Sequence, residues 1–319
     1  MTDISAQTAP LGAPRESEAS VGDFFALMKP RVMSLVIFTA LAGMLAAPVA
    51  IHPIVGFASI LCIAVGAGAS GALNMWWESD IDSRMGRTKG RPIPSGRVTR
   101  DEALGIGMGL AVISVTMLAV FANVLSAVLL AGTIAFYGGF YTMWLKRRTP
   151  QNIVIGGAAG AIPPVIGWTV ATGSVAIEPL LMFAIIFLWT PPHFWALALW
   201  KRREYTEAEV PMLPVVAGPK ATRVQVLVYS VLLAISSLAL VFTDVAGPAY
   251  TVTAIVTNVL FCWLAWTVYR RDEETAQAEK YGAEKKLFAF SLTYLALVFA
   301  SLLIDAALRS AALLDGGWM

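Results

Sequence analysis

The sequence predicts an all-α integral membrane protein with nine transmembrane helices, its N-terminus cytoplasmic and its C-terminus periplasmic. Three observations carry this. The 319 residues are 57% hydrophobic and only 14% charged, with a mean hydropathy of +0.70, far above that of a soluble domain. The apolar residues gather in runs of about 20, the length a helix needs to cross a hydrocarbon core of roughly 30 Å. The bases alternate. Connections after the second, fourth, sixth and eighth runs hold six, three, five and five Lys or Arg, whereas those after the first, third, fifth and seventh hold none. The positive-inside rule makes the basic side cytoplasmic.

Residues 1–22 are polar, with one Arg and no apolar stretch. They predict a disordered cytoplasmic tail rather than a signal or transit peptide, which points to a bacterial inner membrane. Residues 23–319 form a single membrane domain. Its expected segments are 32–50, 54–76, 103–121, 124–143, 152–172, 179–199, 224–243, 247–269 and 288–308. Only a dip near Asn123 separates the third from the fourth, so they form a tight hairpin or one long helix. Cys62 and Cys262 each lie inside an apolar run, as small apolar residues rather than disulfide or zinc partners. Two small-residue runs, 66–72 and 156–161, allow close helix packing. Pro163 and Pro164 should break the backbone ladder after the second run and shape a cavity there.

The densest charge follows the second segment, in NMWWESDIDSRMGRTKGRPIPSGRVTR from Asn74 to Arg100. Asn74, Glu78 and Asp82 are spaced by four, so a continuing helix turns each only about 40° from the last, and all three share a face. Asp80 falls on the opposite face, as a loop or salt-bridge residue. Polar groups at a membrane edge mark function, since at a helix centre each costs about 2.5–3.5 kcal/mol. An amide and two carboxylates suit Mg²⁺, which takes one or two carboxylates and completes its shell with substrate phosphate. Arg87, Lys89 and Arg91 follow closely, and Arg forks match phosphate oxygens. Acids for a metal beside bases for oxyanions describe a Mg²⁺–diphosphate site. No basic soluble domain is present, so nucleic acid is excluded as a partner.

The N-x-x-x-[DE]-x-x-x-D pattern at the end of the second segment resembles the UbiA-type intramembrane prenyltransferases. Three blocks together resemble the haem-modifying branch, the protohaem IX farnesyltransferases (haem O synthases). They are the first block above, YTMWLKRRTPQNIVIGGAAGAIPPVIGW from Tyr141, and WTPPHFWALALWKRREYTEAEVPMLPVV from Trp189. The resemblance implies transfer of a farnesyl group from farnesyl diphosphate to the vinyl side chain of haem B, with addition of water, giving haem O and diphosphate. It implies Mg²⁺ as cofactor, the bilayer as surroundings, and a haem A synthase or terminal oxidase as the class of assembly partner. By the same resemblance Asn74, Glu78 and Asp82 hold metal, Arg87, Arg91, Lys146 and Arg147 hold the diphosphate, and Glu204 with Tyr205 stands where relatives carry a second acidic site. Glu78 replaces the more usual Asp, and Arg203 occupies a position that is often acidic. His193, in a membrane segment after Pro191 and Pro192, is a further catalytic candidate, as an iron ligand or a group orienting water. Prenylation of a quinone precursor or of a tetrapyrrole other than haem is the alternative within enzymes. An ion transporter is the alternative outside them, though transporters favour midplane sites and internal repeats.

Overall fold

The computed structural model describes residues 19–86 and 88–315, and the described residues contain helices and no strand. The first helix, α1 (Val21–Leu27), opens on a capping box in which Ser20 and Asp23 satisfy each other's backbone N–H groups. Helix thus begins two residues inside the expected tail, while residues 1–18 lie outside the described residues. Lys29 then takes a left-handed conformation (φ 54°), and Pro30 starts α2 (Pro30–Ala46). His52 caps α3 (Pro53–Trp77) through the Ile54 amide. Glu78 closes α3 and opens the short α4 (Ser79–Arg84).

Thr99 and Glu102 form a capping box for α5 (Arg100–Phe121). The Asn123 carboxamide accepts from the Ser126 amide and starts α6 (Val124–Ala135). The third and fourth segments are therefore a hairpin, because an Asn in extended conformation caps a helix better than it continues one. From Phe136 to Leu145 the helix widens to π-helical hydrogen bonding. Next come α7 (Asn152–Ala161) and α8 (Pro163–Thr172), divided at Ile162 as the two prolines predict. By contrast, α9 (Ile177–Trp200) runs through Pro191 and Pro192 without a break. The chain continues through α10 (Arg202–Glu207), α11 (Leu213–Val216), α12 (Gly218–Ala239), α13 (Pro248–Tyr269), α14 (Glu273–Ala278) and α15 (Gly282–Asp315).

Among the described residues, eight helical stretches are long and apolar enough to cross a membrane, counting α6 with its π run and α7 with α8 as one each. The protein is multi-pass. The shorter α2 has 17 residues, the low end of a spanning length. Two apolar clusters hold the bundle. The larger joins α9, α12, α13 and α15. The other joins α2, α3, α5, α6 and α8. Where α2 crosses α8 the backbones touch through glycines. A Cβ on Gly43 would stand 2.1 Å from the Pro164 carbonyl oxygen, and one on Gly167 1.9 Å from that of Ala40. Cys62 is buried and Cys262 half-buried, its thiol near the Ser230 carbonyl oxygen.

Candidate active site

The expected stripe forms. The backbone bonds Glu78 N–H to Asn74 O (3.0 Å) and Asp82 N–H to Glu78 O (2.8 Å) carry the four-residue spacing across the joint between α3 and α4. Asn74, Glu78 and Asp82 are each no more than 3% exposed. Each meets a base. Lys146 Nζ donates to Glu78 Oε1 at 2.5 Å, Arg91 to Asp82 Oδ2 at 2.7 Å, and Lys29 to Asn74 Oδ1 at 2.5 Å. The Asn74 amide in turn donates to Thr142 Oγ1 at 3.0 Å.

Local structure explains how these bases arrive. Buried Thr88 donates to the Asp82 carbonyl and folds the loop back so that Arg91 reaches the Asp82 carboxylate. Arg97 bonds both the Gly90 carbonyl and Asp23 of α1, pinning the same loop. The π run ends on a bond from the Lys146 amide to Tyr141 O, and Asn152 of α7 donates to the Lys146 carbonyl. Lys29 is fixed by its left-handed turn ahead of Pro30.

The charges perturb one another. Burial pulls the Lys29 ammonium down to about 7, with Glu78 opposing and Arg91 and Lys146 adding to the fall. Burial would also raise the Glu78 carboxyl, but the Lys146 and Lys29 ammonium groups outweigh it and hold Glu78 below the usual range. Lys146 is the converse: burial lowers it, yet Glu78 holds it above the ordinary lysine value. Favourable neighbouring charge wins over desolvation at this pair.

An apolar slot of about 120 Å³ adjoins the cluster at Lys29. Gly66, Ala67 and Gly71 of the first small-residue run and Ala159 and Gly160 of the second form its walls, with Pro163 beside them and the Tyr137 ring near its mouth. The cavity expected beside the second run is present, and it uses both runs.

Other expected site residues lie elsewhere. Arg147 does not join Lys146 at the acids, since its guanidinium pairs with Asp80 at 2.8 Å, both side chains partly exposed. Lys146 and Arg147 follow the end of the π run in a turn, and their side chains diverge to different carboxylates. Arg87 lies outside the described residues. Tyr141 is buried, its ring tight against Gly156, where a Cβ would stand 2.2 Å away. Glu204 pairs with Lys201. Tyr205 packs against an apolar cluster that includes Ile81 of α4, Met85 just after it, Ala198 and Met212. Glu207 pairs with exposed Arg203. His193 is held by α9 and α15 instead of by the acids. Its ring stacks between Trp189 and Phe288, with centroids 4.4 and 4.5 Å away, and its Nδ1 lies 2.6 Å from Ser291 Oγ. Its partner is this hydroxyl and not a backbone carbonyl freed by Pro191 and Pro192. Sequence reasoning missed Lys29, Thr142 and Tyr137. Lys29 shows only as one more cytoplasmic base, and its single local signal is the following Pro30.

Among the described residues no three His, Cys, Asp or Glu side chains converge. Two carboxylates and an amide oxygen still form a hard oxygen donor set that fits Mg²⁺ if phosphate oxygens and water complete the shell, the usual arrangement for that ion.

Residues 35–293 match the UbiA prenyltransferase family. The chain is 61% identical over 300 residues to a protoheme IX farnesyltransferase of Dinoroseobacter shibae, covering 94% of this chain and 95% of that one. It is 57% identical over 318 residues to one of a Ruegeria species, covering all of both. Among solved structures it resembles digeranylgeranylglyceryl phosphate synthase, with a TM-score of 0.73 and 15% identity over 90% of this chain and 98% of that one. It also resembles a UbiA homologue from Aeropyrum pernix, with a TM-score of 0.64 and 19% identity over 86% and 98%. A third likeness is to a homologue from Archaeoglobus fulgidus bound to GPP and Mg²⁺, with a TM-score of 0.58 and 15% identity over 88% and 99%. These structures share the fold. The family model, covering most of the chain, and two relatives above half identity agree that this chain belongs to the UbiA prenyltransferase family and is a prenyltransferase.

Proposed function

We propose that this enzyme transfers the farnesyl group of farnesyl diphosphate to a vinyl side chain of haem B, with addition of water, giving haem O and diphosphate. The observation that carries the reading is the junction of a buried acid–base cluster with a narrow apolar slot. The names of the relatives support the donor and the acceptor. The glycine and alanine of its walls make room for an apolar chain beside the acids.

Lys146, Arg91 and Lys29 turn from the acids toward the diphosphate oxygens when donor binds, leaving Asn74, Glu78 and Asp82 to hold Mg²⁺. The metal, when bound, supplies positive charge to the leaving oxygens. The allylic carbon–oxygen bond breaks, the diphosphate departs with the electron pair, and the three bases stabilise that charge as it develops. The farnesyl carbon bonds to the terminal vinyl carbon of haem. Water adds to the cation left next to the ring and loses a proton, forming the hydroxyl. The Mg²⁺ bound by the Archaeoglobus homologue favours the same cofactor here. We place the chain in a bacterial inner membrane, with α2 as a ninth crossing, the N-terminus and the acid cluster on the cytoplasmic side and the C-terminus periplasmic. Asp80, not the diphosphate, is the partner of Arg147 in this reading. A haem A synthase or oxidase remains the class of docking partner to seek.

Mass spectrometry of purified membranes given haem B, farnesyl diphosphate and Mg²⁺, with and without EDTA, tests this. The expected product is haem heavier by one farnesyl group and one water, absent under EDTA. Binding of the donor without that product would redirect the acceptor to other electron-rich rings.

A further inference from the structure

Four helices wall the slot, and each presents a bulky aliphatic side chain at the end farthest from the acids. The helices α2 and α7–α8 lead away from the cluster, while α3 and α6 return to it. Along them the slot runs from Lys29 to Val36, from Gly71 back to Ile63, from Tyr137 back to Leu130, and from Ala159 to Ile166. Each interval is seven or eight residues, or about 10–12 Å at the helical rise of about 1.5 Å per residue. Ile63, Leu130 and Ile166 are at most 3% exposed and pack onward against Ala40, Cys62, Leu118 and Val170. The slot is therefore lined mainly by glycine and alanine nearer the acids and by these bulkier side chains at its far end.

We infer that Val36, Ile63, Leu130 and Ile166 form a floor that sets the length of prenyl chain the enzyme accepts. This rests on the slot being the prenyl site of the proposed reaction. With carbon–carbon bonds of about 1.5 Å, the four chain carbons of an isoprene unit extend about 5 Å. The unit bearing the diphosphate sits at the mouth beside Lys29, and the slot then holds two more. A three-unit chain ends at the floor. A fourth unit would drive into packed side chains, and such overpacking is penalised because close-packed interiors yield little.

The test is donor competition. Purified enzyme receives haem B, Mg²⁺ and equal amounts of farnesyl and geranylgeranyl diphosphate, and mass spectrometry reads the product ratio. Wild type is expected to favour the farnesyl product. Ile63→Ala and Ile166→Ala should raise the geranylgeranyl share at least about tenfold, the scale on which hydrophobic pockets discriminate. Ala67→Leu, which adds bulk halfway down the slot and leaves no hole, should shift preference by a similar factor toward geranyl diphosphate when farnesyl and geranyl diphosphate compete in the same assay. That variant decides the matter if the floor variants do not fold. Unchanged ratios in variants that turn over would overturn the floor while leaving the reaction intact. A wild type that prenylates haem with no donor would overturn both.

Discussion

On either side of Trp77, Asn74 and Glu78 pair across the bundle, whereas beyond Trp200 Glu204 and Glu207 pair with near neighbours. Glu78 is met by Lys146, 68 residues away, and Asn74 by Lys29, 45 residues away. Glu204 is met by Lys201 and Glu207 by Arg203, three and four positions away on the same stretch of helix. The first set is buried and the second partly to largely exposed. Local pairs at a surface need no fold to form and contribute little. Distant pairs in a buried place require several helices to agree, and breaking one leaves an uncompensated charge, which costs about 3–5 kcal/mol. The comparison separates a built site from a solvated loop, although both loops read as equally charged in the sequence.

The sharpest break of the comparison is Asp82→Ala. It should abolish haem prenylation while the protein still inserts, measured as product per membrane-inserted enzyme. Normal turnover would remove the case for a metal at the first motif. Chelation comes next: EDTA should stop product formation and Mg²⁺ should restore it. Lys146→Ala should lower kcat about 10²–10³-fold, the loss seen when one donor to developing negative charge is removed; an effect on KM alone would make it a binding residue only. His193→Ala should lower activity or haem affinity if the ring takes part; retention of both would leave it as the filling between Trp189 and Phe288. At the small end, Glu204→Gln should change turnover less than about fivefold, the scale of a surface pair. A loss as large as that of Asp82→Ala would put the second loop on the same footing as the first.

Much of this was legible in the sequence for physical reasons. Apolar runs and alternating bases mark the membrane helices because hydrocarbon demands them. The stripe of Asn74, Glu78 and Asp82 was legible because helical bonding continues through Glu78. The division at Ile162 followed from two prolines, yet Pro191 and Pro192 left α9 whole, held there by packing against α12 and α15. What the sequence hides is pairing. Nothing local tells that Lys146 turns to Glu78 while Arg147 turns to Asp80, or that Lys29 bends over to Asn74. Those outcomes depend on where separate helices come to rest.

The π-helical run from Phe136 to Leu145 has a consequence for how this chain can vary in length. Its wider turns set the angle at which Lys146 leaves the helix. Gly139 lies within it and faces no neighbouring atom, so its loss would meet no steric objection. A π turn holds more residues than an α turn, so deleting that one residue lets the run tighten toward α-helical bonding and leaves Lys146 facing Glu78. Substitution and deletion at Gly139 are therefore both absorbed locally: along this stretch the widened turns uncouple the count of residues from the placing of the ion pair.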